Sequence, residues 1–189
     1  MVPKIIKKIS LFLLIILLMS GMTWKVLGQK YIAQNGYVRF FSEAPLENIE
    51  AINQEGVSIF ETSTGKIAFT IPIKNFEFEK SLMQQHFNEN YLESEKYPNS
   101  TFQGNIIGFS EVNGKQDLKV RGKMTIHGVT QDISVAGMGV KDGNHILLEA
   151  SFPIKLEDYK IRIPRVVLYN IAEEVEVTIK FKYVPYGEK

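Results

Sequence analysis

Glu174-Val175-Glu176-Val177-Thr178-Ile179-Lys180-Phe181-Lys182-Tyr183 alternates without a break. Val175, Val177, Ile179, Phe181 and Tyr183 fall on one face, and glutamate, threonine and lysine on the other. Successive side chains of a strand point to opposite faces, so a period of two marks a strand with one buried and one wet side. One strand cannot hide its own apolar side. It needs a sheet.

Working upstream, the same pattern returns. Leu118, Val120, Met124 and Ile126 alternate with Lys119, Arg121, Lys123 and Thr125. His127-Gly128 predicts a turn into Ile133 and Val135. Asp142-Gly143 predicts a hairpin into Ile146, Leu148, Ala150 and Phe152, and Asn113-Gly114 predicts another tight one. Thr101 to Phe109 carries Phe102 and Ile106 on one side. Lys66 to Ile73 aligns Ile67, Phe69, Ile71 and Ile73, and Ser63-Thr64-Gly65 divides it from Val57 to Thr62. Pro72 has no amide hydrogen, so it belongs at a sheet edge or a strand end. Tyr37 to Glu43 sets Val38 and Phe40 against Arg39. Pro153 to Val167, which contains Pro164, predicts an irregular or short helical crossing before the last strand.

One segment breaks the period. From Glu77 to about Tyr91, the residues Phe78, Leu82, Met83, His86, Phe87 and Tyr91 recur at three- to five-residue steps, which predicts an amphipathic helix. The class is therefore all-β with one short capping helix: an antiparallel sheet of about eight strands. It hides one face by closing into a barrel or by packing on a second sheet. The charged residues that oppose the apolar faces suit an exterior in water. An outer-membrane barrel would show the reverse polarity.

Composition narrows the function. Of 189 residues, 44% are hydrophobic and 23% charged, which fits one ordinary globular domain. The formal charge of +1 hides an asymmetry, because Lys4, Lys7, Lys8 and Lys25 lie in the first 28 residues, which hold no acid. The remainder is near −3 and has no basic stripe, so nucleic acid is not an expected partner. The absence of cysteine excludes disulfides, thiolate metal sites, a cysteine nucleophile and an N-terminal lipoprotein anchor. His86, His127 and His145 lack the local spacing of many zinc sites, and no Gly-x-Ser-x-Gly elbow is present.

The lysines at 4, 7 and 8 precede the apolar run Ile9 to Met22, and small residues follow. That order predicts an export signal over residues 1–28, removed before Gln29, and a mature domain over 29–189. The alternative is an uncleaved membrane anchor, against which the run is shorter than the ~20 residues of a spanning helix. The mature protein is therefore expected to be periplasmic and not membrane-spanning.

Two stretches carry a resemblance. Tyr97-Pro98 ahead of Phe102, and Gly122-Lys123-Met124-Thr125-Ile126-His127-Gly128-Val129-Thr130, stand downstream of a helix bearing His86-Phe87. In that order they resemble the YceI-like family of polyisoprenoid-binding proteins, over roughly Lys66 to Val140. The family's Arg-Asp ahead of the helix histidine is Met83-Gln84 here. The resemblance implies a lipocalin-like barrel with an elongated apolar cavity, no catalysis and no cofactor. Its ligand would be an isoprenoid lipid, such as an isoprenoid quinone tail or a prenyl phosphate.

Strand parity then names the candidate lumen: Phe40, Phe69, Phe102, Ile106, Met124, Ile126, Leu148, Phe152, Val177, Ile179 and Phe181. Leu82, Phe87 and Tyr91 would line the mouth if the helix caps the barrel, and His86 would be placed to meet a head group. His127, on the polar side of its strand, reads as a surface or turn-stabilising residue. Two other readings compete with lipid carriage. One is a non-catalytic cell-envelope module with a filled barrel, and the other is an enzyme with polar groups converging inside it. The choice between a monomer and a homodimer is open at this level.

Overall fold

The computed structural model describes residues 29–43, 48–162 and 172–187. The expected leader, and residues 163–167 of the expected crossing, lie outside the described residues. Each alternating run forms a strand: β1 (Lys30–Ser42), β2 (Ile49–Glu61), β3 (Lys66–Pro72), β4 (Glu77–Phe78), β5 (Asn99–Ile107), β6 (Gly114–Ile126), β7 (Val129–Asp142), β8 (His145–Lys155) and β9 (Glu174–Pro185). Eight of them close an antiparallel ring in the order β1, β2, β3, β5, β6, β7, β8, β9, with β9 returning to β1. The two-residue β4 adds to the rim of β2, Ala51 opposite Phe78. The all-β barrel of about eight strands is thus the fold the chain adopts.

Turn chemistry explains the connections. His127 and Gly128 both take positive φ, 51° and 72°, as a two-residue type I′ hairpin requires. Gly143 at φ 54° opens the turn between the paired Asp142 and His145. Pro72 is the last residue of β3, where its missing donor costs no ladder bond.

Three expectations need correcting. Asn113-Gly114 is not a tight hairpin. β5 stops at Ile107, and residues 108–113 form a longer loop held from downstream. Gln116 Oε1 accepts from Ser110 N at 2.7 Å, and its Nε2 donates to the Ser110 and Val112 carbonyls at 3.0 and 2.9 Å. Nor is Pro153 in a crossing. β8 continues to Lys155, with Pro153 opposite Glu176. Its other side tolerates a proline because β7 and β8 pair only from Met138↔Glu149 to Asp142↔His145. Beyond that the two strands part, and the short 3₁₀ turn Leu156–Tyr159 packs there, with Gln131 Nε2 donating to the Asp158 carbonyl at 2.7 Å.

The third correction concerns the helix. Phe78 is a strand residue, and α1 spans only Ser81–His86, continued by a π-turn over Phe87–Tyr91. Leu92 N bonds to Phe87 O at 2.9 Å, the wider i→i+5 step. The inward stripe is Met83, Phe87 and Tyr91, so Leu82 and His86 face out. Outside the barrel, cross-strand pairs such as Lys180–Glu149 (3.0 Å) and Lys123–Asp132 (3.0 Å) occupy the polar positions.

Candidate functional site

Inward side chains fill the two ends of the barrel unequally. At the end bearing the β2–β3 and β7–β8 turns the interior is solid. Rings there form a continuous series. Phe69 stacks on Phe102 at 5.2 Å between centroids and meets Phe181 at 5.6 Å, then Phe181 meets Tyr183, Tyr183 meets Phe60, and Phe60 meets Phe109 at 5.1 Å. The Tyr183 phenol is bonded to Ser58 Oγ at 2.6 Å, and Ser58 in turn reaches the Ala68 carbonyl at 2.9 Å. Burial pushes the Tyr183 phenol far above its ordinary range.

The opposite end holds a cavity of about 140 Å³. Its wall comes from Val38 and Phe40 of β1, Phe69 and Ile71 of β3, Met124 and Ile126 of β6, Ile154 of β8, and Val175, Val177 and Ile179 of β9. Its roof is the segment from Ile73 to Leu92. There Phe40, Phe76, Phe78 and Phe87 form a second aromatic cluster, with Phe40 stacked on Phe87 at 5.5 Å and 14°. Among the described residues, Ser42 and Ser100 bring the only hydroxyls besides the Tyr91 phenol, and the protein engages both. Ser42 Oγ accepts from Ala172 N at 3.0 Å, and Ser100 Oγ donates to the Thr125 carbonyl at 3.0 Å. Partial burial raises the Tyr91 phenol as well.

Of the sequence-predicted site residues, the structure brings Phe40, Phe69, Phe87, Tyr91, Met124, Ile126, Val177 and Ile179 to the cavity wall. Phe102, Ile106, Leu148, Phe152 and Phe181 point inward but are buried in packing away from it. Parity tells inward from outward, and these five are inward at levels where the barrel is filled or the wall is made by a neighbour. Leu82 is 62% exposed and does not line the mouth, and His86 is likewise exposed, away from the cavity. Sequence reasoning missed Phe76, which follows the rim turn after β3 with no periodicity to announce it, and assigned Phe78 to the helix rather than to the roof strand β4. Ile71 and Val175 carried the signal, each lying in an alternating run already recognised. Ile154 and Ile161 fell in the stretch expected to be a crossing.

The roof is tied to the rim at one histidine. His127 Nε2 stands 2.7 Å from Glu93 Oε2, Nδ1 stands 3.2 Å from the Tyr159 carbonyl, and its ring meets Tyr97 edge-on at 4.6 Å. The turn-stabilising role expected for His127 is thus wider than the hairpin itself. It joins the segment after α1, the β6–β7 turn and the 3₁₀ turn before residue 160. Among the described residues, no cluster of three or more histidine, cysteine, aspartate or glutamate side chains could hold a metal. Nor is any described helix long and apolar enough to cross a membrane.

An antiparallel ring that is packed at one end and leaves an apolar chamber beneath a short helix at the other places the protein among the small lipocalin-like barrels. The chain belongs to the YceI-like domain family, whose model matches residues 43–183. Solved structures share the fold. A polyisoprenoid-binding domain from Saccharophagus degradans, implicated in plant cell wall breakdown, superposes with a TM-score of 0.72 at 16% identity, over 84% of this chain and 99% of that one. Burkholderia cenocepacia BcnA gives 0.66 at 19% identity, over 78% and 95%. A Campylobacter jejuni YceI protein gives 0.59 at 20% identity, over 77% and 90%. No curated protein sequence matches the chain.

Proposed function

We propose that the chamber binds the apolar chain of an isoprenoid lipid, such as a quinone tail or a prenyl phosphate, without catalysis. The observation that carries this reading is the wall itself: apolar side chains apart from the Tyr91 phenol in the roof and two serine hydroxyls, both already engaged by the protein. A hydrocarbon chain needs nothing else. An apolar cavity of about 150 Å³ stays dry and holds a benzene-sized group. By that measure, 140 Å³ takes about one five-carbon isoprenyl unit. At about 0.8 kcal/mol per buried methylene-sized group, one unit supplies ~4 kcal/mol gross, which is only millimolar binding. Micromolar binding needs about ten carbons. A flexible Met83 in the roof is the side chain suited to yield that space. Membership of a family with a polyisoprenoid-binding relative supports the same reading.

The reading extends to location. With residues 1–28 removed, the domain from Gln29 onward would work in the periplasm as a carrier or reservoir. Native mass spectrometry of protein purified from its own cells should show a co-purifying isoprenoid. Protein that emerges lipid-free, and stays so when offered prenyl lipids, would overturn the proposal. N-terminal sequencing should begin near Gln29, and an intact Met1 would refute cleavage.

A second reading, a cell-envelope interaction module, draws on the exterior. Val57 and Ile59 are exposed on β2, and Ile32, which pairs with both Ile59 and Val184, joins them to an exposed Val184 on β9. Crosslinking in cells that captures an envelope protein through this strip, with no lipid in the chamber, would favour it.

A further inference from the structure

The cavity ends partway down the barrel, deepest along β3, β6 and β9. On β9, Val175, Val177 and Ile179 line it and Phe181 does not. On β6, Met124 and Ile126 line it and Leu118 does not. Phe69 is the last ring that the cavity touches, and Phe102 and Phe181 lie behind it. Glycines make room for this floor. Gly36 and Gly56 face each other across β1 and β2, and a β-carbon on Gly36 would stand 2.0 Å from Phe181 Cε1. Gly104 and Gly122 pair across β5 and β6, where β-carbons would stand 2.6 and 2.7 Å from Phe102 Cζ. On two sides of the barrel, then, the backbone is bared so that a phenyl ring can lie across the lumen.

The open depth follows from β9. Val175 to Ile179 is four steps, about 13 Å along the strand, and a tilt near 40° reduces this to ~10 Å along the barrel axis. Both serine hydroxyls are engaged and the Tyr91 phenol comes from the roof, so the end of a ligand that reaches the floor must be hydrocarbon and a polar end must stay at the rim.

We infer that this barrel gauges chain length: Phe69, backed by Phe102 and Phe181, is a floor that admits the terminal one or two isoprenyl units and leaves the rest of a longer chain outside. The inference rests on the proposed binding of prenyl chains. It adds that affinity is blind to length beyond about ten carbons.

The test is a series of prenyl alcohols against the native protein: prenol, geraniol, farnesol and geranylgeraniol, each competed against a fluorescent apolar probe. Each newly buried methylene tightens binding about fourfold. Affinity should therefore rise steeply from five to ten carbons, then change by less than about threefold from ten to twenty. A continued rise of tenfold or more per unit would overturn the gauge while leaving prenyl binding intact. Binding at no length would overturn the function beneath it. In Phe181→Leu and Phe69→Leu the plateau should move out by one unit, and in Ile179→Phe it should move in. A variant that keeps the native circular dichroism and melting profile yet shows an unmoved plateau would refute the floor.

Discussion

The imidazole of His127 bridges Glu93, 2.7 Å from Nε2, and the backbone of Tyr159, 3.2 Å from Nδ1, and so fastens the roof of the chamber to the barrel rim. His127 adopts φ 51°, a conformation that asparagine also tolerates. His127→Asn therefore removes the ring while sparing the hairpin. Two part-buried hydrogen bonds at about 0.5–1.5 kcal/mol each imply a loss of roughly 1–3 kcal/mol. The amides of Leu92, Ser94 and Tyr97, which bond within the segment after α1, should exchange faster with deuterium. Unchanged exchange there would show that the ring does not hold the roof.

Filling the chamber should separate binding from folding. Val177 lines the cavity, and a phenylalanine there has about 140 Å³ to enter. Overpacking costs 1–3 kcal/mol where a core is already full. Here Val177→Phe should shift stability by less than about 1 kcal/mol, because its ring enters empty space. Prenyl binding should fall more than tenfold. A thermal melt and a probe-displacement titration on the same sample check both.

The helix face makes an opposite prediction. Leu82 is 62% exposed and points away from the cavity. Leu82→Glu should leave stability within about 0.5 kcal/mol and ligand affinity unchanged. A large loss in titration would return Leu82 to the mouth.

Tyr183 predicts an alkaline dependence. Its phenol is fully buried, and the cost of burying the charged form outweighs the opposing pull of the bond to Ser58, so the folded-state pKa lies above that of the unfolded chain. A raised folded pKa means that the contribution is whole below the unfolded value near 10 and declines as pH rises above it. The slope is about 1.4 kcal/mol per pH unit. Tyr183→Phe should cost about 1 kcal/mol at pH 7, since Ser58 keeps its bond to the Ala68 carbonyl. That difference should close as pH passes through 10 to 11 in urea denaturation. Parallel curves for the two proteins across that range would refute it.

Much of this architecture was legible in the residues. The alternation of β9 and β6 announced strands with one wet face, and His127-Gly128 announced its turn, because both signals are local. What was hidden depends on distance. Phe181 and Ile179 have the same parity on the same strand, yet one is packed beneath the floor and the other lines the chamber. What divides them is a glycine at position 36, on the neighbouring strand β1. Leu82 and Met83 were both apolar in a helical pattern, and the π-turn that follows decided which of them faces in. The continuation of β8 through Pro153 was unreadable for a similar reason. A proline is tolerated there because β7 has already turned aside.

The unfilled half of the barrel has a thermodynamic consequence. At ~24 cal/mol per Å³, a void of about 140 Å³ forgoes roughly 3 kcal/mol of cohesion. Against a total of 5–15 kcal/mol for an ordinary domain, that is a heavy standing deficit. A guest that occupies the void restores it, so loading would harden the protein against heat and proteases. In a cell, the vacant copies would then be the short-lived ones, and abundance would follow the supply of lipid.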